Sequence, residues 1–155
     1  MKRLLYLLPI LVVLAGCGSL AKTPPTIEPW YPPVNEQGDP VFAVFESRIP
    51  CEDCEKIKIA LALYKDQVTQ EPTTYKLARV YVAKGDDRLL NEGIWSIANG
   101  TALDPQAVVY QLDGNAPEEF RSFWAIEDDI LFILDQDMKP RVGTAGYGYA
   151  LNRTR

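Results

Sequence analysis

The strongest constraint on the fold of this chain is the alternation in Ile57-Lys58-Ile59-Ala60-Leu61-Ala62-Leu63-Tyr64. Successive side chains of an extended strand point to opposite faces, so Ile57, Ile59, Leu61 and Leu63 share one face and Lys58, Ala60, Ala62 and Tyr64 the other. The first face reads as core. Short apolar runs of the same kind occupy 41–47, 73–83, 93–98, 107–112, 121–126, 130–134 and 147–153. Between them stand turn formers: Lys84-Gly85-Asp86-Asp87, Asn99-Gly100, Asp113-Gly114-Asn115, Glu127-Asp128-Asp129 and Asp135-Gln136-Asp137. No stretch after residue 40 holds ten residues of helical period, although 87–92 is compatible with one helical turn. About eight consecutive short strands predict an all-β fold, a small antiparallel up-and-down barrel whose closure removes exposed edges. A two-sheet sandwich is the alternative. Gly143, Gly146 and Gly148 permit a bulge or bend near the last strand, and Tyr147 and Tyr149 flank the last turn.

The N-terminus follows different rules. Lys2 and Arg3 precede an apolar run, 4–14, interrupted only by Tyr6 and Pro9, which is a signal-peptide layout. As a helix this run covers roughly 16 Å, short of the hydrocarbon core of about 30 Å that a permanent span must cross. Leu14-Ala15-Gly16-Cys17 follows directly and resembles the lipobox, in which the thiol takes a diacylglycerol. Residues 1–16 are therefore expected to be a lipoprotein signal peptide, and Cys17 the lipidated first residue of the mature chain. Several acyl chains on one residue, at about 0.8 kcal/mol per buried CH₂, make release from the membrane negligible. Gly18 after the cysteine resembles the pattern exported to the outer membrane. Residues 17–40 carry Pro24, Pro25, Pro29, Pro32, Pro33 and Pro40 and read as a proline-rich tether, reaching roughly 70 Å if fully extended. Trp30 and Tyr31 within it suit either packing on the domain or the membrane interface. The domain proper is expected at 41–155.

Without the signal peptide, 14 basic residues stand against 21 acidic ones, a net charge of −7, which makes nucleic acid an improbable partner. The chain has no histidine, so imidazole-dependent triads and the usual zinc and copper(II) sites lose their commonest component. No phosphate-binding glycine loop is present, and no enzymatic role is expected.

Two of the three cysteines remain, in Ile49-Pro50-Cys51-Glu52-Asp53-Cys54, on the expected loop between the first two strands. Thioredoxin-like enzymes place such a pair at a helix N-terminus, where the dipole stabilises a thiolate. Here a strand follows, and Glu52, Asp53 and Glu55 surround the thiols with charge that disfavours a thiolate. A disulfide oxidoreductase is therefore disfavoured. Two readings stay open: a structural disulfide in an oxidising compartment, or a copper(I) site, since two thiolates suit a soft, low-coordinate metal. Met138 is the only methionine of the mature chain, so a methionine-rich copper site is excluded. Asp135-Gln136-Asp137 begins like a calcium loop, but Met138 and Lys139 stand where oxygen ligands and glycine belong, and a hairpin turn is expected. Trp95, Phe123, Trp124 and Phe132 lie in expected strands and read as barrel core.

These residues resemble the N-terminal domain of the NlpE family, the CutF-like copper-resistance lipoproteins of the outer membrane. The resemblance rests on the first strand, on Pro50-Cys51-Glu52-Asp53-Cys54 with the strand from Ile57 to Tyr64, on Gly93-Ile94-Trp95, on Leu131-Phe132-Ile133-Leu134-Asp135, and on Tyr149-Ala150-Leu151. It implies a barrel similar to bacterial lipocalins, and a sensing or binding role in envelope stress, surface sensing or copper tolerance, with an envelope sensor protein as partner. Only Cys17, Cys51 and Cys54 carry over as functional positions. The chain departs from the family at Glu55-Lys56, where Pro-Gly is common, and in a longer 67–74 segment. It is also too short for the second, OB-like domain of some members. Two other roles remain open, a carrier of a small apolar ligand and a structural envelope protein. A lined cavity would favour the first.

Overall fold

The computed structural model describes residues 30–143 and 148–155. The signal peptide, Cys17, Gly146 and Tyr147 lie outside the described residues. Eight strands follow one another: β1 (Val41–Ile49), β2 (Lys56–Lys65), β3 (Pro72–Val82), β4 (Arg88–Asn99), β5 (Val108–Leu112), β6 (Ser122–Ile126), β7 (Ile130–Ile133) and β8 (Ala150–Arg153). Each pairs antiparallel with the next, and β8 returns to β1 through Phe45↔Arg153 and Glu46↔Asn152, so the sheet closes into a barrel. Backbone bonds beyond the last strand, Val44 N–H to the Arg155 carbonyl and Thr154 N–H to the Val44 carbonyl, extend the seam. The all-β, up-and-down barrel read from the alternation is the observed fold.

The period of two carries the core inward. Ile57, Ile59, Leu61 and Leu63 face the lumen opposite Ile49, Phe45 and Ala43 of β1 and Tyr75 and Leu77 of β3. Trp95, Tyr110, Leu112, Phe123, Leu131, Ile133 and Leu151 complete one contiguous apolar cluster to which every strand contributes. Phe120, on a single 3₁₀ turn (Glu118–Phe120), packs into the same cluster. A bulge between Val41 and Ala43 brings Phe42 against this core as well, stacked on Trp95 at 6.2 Å with the Lys65 ammonium 3.8 Å above its ring. The lumen is therefore filled by side chains. Charged residues such as Arg48, Lys58, Lys76 and Glu92 stand outside, the reverse of a membrane-spanning barrel. Among the described residues no helix is long and apolar enough to cross a membrane.

Four features differ from the sequence expectation. Residues 87–92, compatible with a helical turn, are the linker into β4 and its first half, because Arg88 to Ile94 pair in register with β3. Residues 30–40, read as the end of a tether, lie on the barrel wall: Trp30 and Tyr31 pack with Val41 over Val44, Ala62 and Tyr64, and the Tyr64 hydroxyl donates to the Pro32 carbonyl at 2.8 Å. The second face of β2 is thus partly buried too. Trp124 and Phe132 are not lumen core but a cross-strand pair on the opposite face from Phe123 and Leu131, with ring centres 6.3 Å apart. Finally, β8 starts at Ala150, with Gly148 and Tyr149 outside the strand.

Candidate functional site

The described loop residues at one end of the barrel are 50–55, 83–87, 113–121 and 134–143, and the cysteine pair stands in the first of these loops. Cys51 and Cys54 form a disulfide across a Cα separation of 5.3 Å, and both are half-buried against the core cluster. The pair closes a strand-to-strand loop rather than opening a helix, which removes the dipole that a thioredoxin-like thiolate requires. The sulfurs and an Asp53 carboxylate oxygen lie within 4.8 Å of one another, a donor set that fits a soft cation only after reduction frees two thiolates.

The acidic field expected around the loop is partly compensated. Lys84, from the β3–β4 loop, pairs with Asp53 and holds its carboxyl below the usual range, by hydrogen bonding first and charge second. Lys56 pairs with Glu55. The loop is further tied down by the Glu55 N–H to the Val82 carbonyl at 3.1 Å.

Beneath this rim the lumen holds a cation that sequence reasoning missed. Arg79 is 6 % exposed and lies between Ile59 and Leu89 in register. Its guanidinium donates to Asn91 Oδ1 at 2.7 Å and to the Tyr81 hydroxyl at 3.1 Å, stands 5.6 Å from the Phe120 ring centre, and leaves Nε without a partner. Only parity signalled it: Arg79 shares the phase of Tyr75, Leu77 and Tyr81. Asp135 and Asp137 build no ligand cage, since Asp135 Oδ1 accepts the N–H groups of Asp137 and Lys139, both at 2.9 Å, within its own turn.

The profile of the NlpE N-terminal domain matches residues 45–144, which span the second half of β1, the disulfide loop and β2 to β7. The chain belongs to the NlpE N-terminal domain family. Among solved structures it is similar to a candidate lipoprotein from Shewanella oneidensis, with 17 % identity and a TM-score of 0.46 over 72 % of this chain and 87 % of that one. It is also similar to the Cpx pathway activator NlpE from Escherichia coli, with 19 % identity and a TM-score of 0.43 over 68 % of this chain and 48 % of that one. The match thus spans less than half of the Escherichia coli chain. Among curated proteins none matches this chain significantly.

Proposed function

We propose that this NlpE-family chain is a lipid-anchored protein of the outer membrane that senses or binds in the envelope stress response or copper tolerance, and that it acts on an envelope sensor protein through its outer surface and the Cys51–Cys54 loop. One observation carries the reading: the family match encloses a CxxC loop, closed as a disulfide, on the rim of a barrel with a filled lumen. A filled interior favours recognition through the outside surface over the carrier role. The Escherichia coli protein of this family is named as an activator of the Cpx pathway, which supports a signalling role.

Copper(I) enters as a second state of the same loop. Reduction of the disulfide by a dithiol takes two electrons and yields two thiols, whose thiolates, with Asp53 beside them, are the donors copper(I) prefers. The experiment is thiol trapping in cells with and without copper stress, then copper(I) titration of the reduced chain and of Cys51→Ser/Cys54→Ser. Reduction under stress and loss of copper(I) binding in the double variant support the reading. A pair that stays oxidised, with unchanged copper(I) binding in the variant, leaves a loop staple and removes the metal role. The anchor has its own test: Cys17→Ser should abolish incorporation of labelled fatty acid, and incorporation that persists removes the lipoprotein assignment.

A further inference from the structure

The outer wall of β1 to β4 carries a groove of about 590 Å³ whose floor is Ala60, Ala78 and Val80, with Trp30 at its wall. Arg48, Lys58 and Arg88 line it. They stand in one row across the sheet, since Arg48 pairs with Lys58, Lys58 with Val80, and Val80 with Arg88. Like charges directly opposite each other on a sheet oppose folding, so the Arg48–Lys58 pair is a cost that packing does not explain.

Its setting is equally uneven. The chain is acidic, and most of its other described cations have contacts of their own: Lys76 with Glu92, Lys84 with Asp53, Lys139 with Asp137, Lys65 over Phe42, Arg141 over Tyr149. Arg121 and Arg153 donate to backbone carbonyls. No such partner engages Arg48, Lys58 or Arg88 among the described residues. Glu46 is the one carboxylate lining the groove. Beside it, Leu90 stands opposite Ala78 and is 60 % exposed.

We infer that this groove seats the domain on a membrane surface rich in anionic phospholipid headgroups, with Arg48, Lys58 and Arg88 taking the phosphates and the exposed Leu90 meeting the interface. Charge complementarity favours an anionic occupant in a chain whose net charge repels one elsewhere. Position selects the membrane. Trp30, in the groove wall, is the first described residue, and the 13 residues from Cys17 to it span roughly 40 Å when extended, so a lipidated Cys17 holds the groove within reach of headgroups. This inference rests on the lipid-anchor reading, and its test uses lipid-free protein so that the two fail separately.

Every described residue of the closed sheet and its core lies within the leaderless chain 18–155. It is sedimented with vesicles of phosphatidylcholine and with vesicles containing about one-third phosphatidylglycerol. The expected result is salt-sensitive binding to the anionic vesicles alone. Arg48→Gln/Lys58→Gln/Arg88→Gln should weaken it at least roughly tenfold. Lys76→Gln/Lys139→Gln/Arg141→Gln, an equal change in net charge, should weaken it less than about twofold, with a cooperative melting transition in each variant confirming both folds. Equal losses in the two variants, or no preference of the parent for anionic vesicles, overturn the proposal. So does displacement from the vesicles by millimolar glycerol phosphate, which would make the groove a site for a free phosphate. Binding of poly-glutamate in place of vesicles would likewise overturn it and assign the groove to an acidic protein.

Discussion

Gly93 is needed for its missing side chain, not for a turn. A Cβ there would lie 2.3 Å from Asp113 Oδ1, and that carboxylate accepts the Tyr75 hydroxyl and the Asn115 N–H through Oδ1 and the Ile94 N–H through Oδ2, each at 3.1 Å. Gly93→Ala must push Asp113 out of these bonds, and a loss of about 2–3 kcal/mol is expected by chemical denaturation. A loss below about 0.5 kcal/mol would mean that the loop moves freely. Buried tyrosines give a second prediction. Burial, with Tyr31 beside it, pushes Tyr64 up to about 12. Burial and then Asp128 push Tyr110 up to about 12, and burial followed by the hydrogen bond to Asp113 raises Tyr75 further. A phenol whose folded pKa lies above the ordinary value of about 10 contributes stability that is complete below pH about 10 and lost as pH rises through the folded value. The domain should therefore destabilise between pH about 10 and 12, with phenolate absorbance appearing together with unfolding. Tyr64→Phe should flatten that pH slope, and titration of all tyrosines without loss of structure would contradict the burial.

At the scale of elements, β2 was legible because its alternation is unbroken, and the contrast between its faces can be measured. Leu61 is fully buried, so Leu61→Asp places a carboxylate in an apolar lumen and should unfold the domain, a cost of more than about 4 kcal/mol. Lys58→Glu reverses the like-charge pair with Arg48 and should stabilise by about 0.2–1 kcal/mol while removing part of the cationic row. Equal destabilisation by both would show that the assigned faces are wrong. Where the sequence misled, the cause was contact beyond the strand. Trp124 and Phe132 are as apolar as Phe123 and Leu131, and composition alone does not tell which phase faces in. Arg48, Lys58 and Arg88 lie on three different strands and meet only once register is fixed, while Trp30 and Tyr31 needed a partner surface on β1 and β2. The cysteine loop was legible as a motif, but Lys84 came to it from the β3–β4 loop, 31 residues beyond Asp53.

For the whole molecule, closure and a filled lumen are linked. Eight strands enclose an interior about as wide as side chains from opposite walls can fill, and Phe45, Tyr75, Phe123 and Leu77, all fully buried, fill it together with Phe120. The surface left to the solvent is that of the loops and outer wall, which is where the disulfide and the cationic row stand. If the interior is packed, the folded chain should show no stoichiometric uptake of a fluorescent apolar probe such as N-phenylnaphthylamine. Removing one lumen ring should create the missing space: Phe45→Ala is expected to cost about 3–5 kcal/mol and, where the barrel stays folded, to open an apolar cavity that can admit a small probe. A milder variant, Ile59→Val, should cost about 0.5–1.5 kcal/mol and still exclude the probe. Saturable uptake of one probe per parent chain, displaced by a fatty acid, would restore the carrier role and move the functional site from the wall to the lumen.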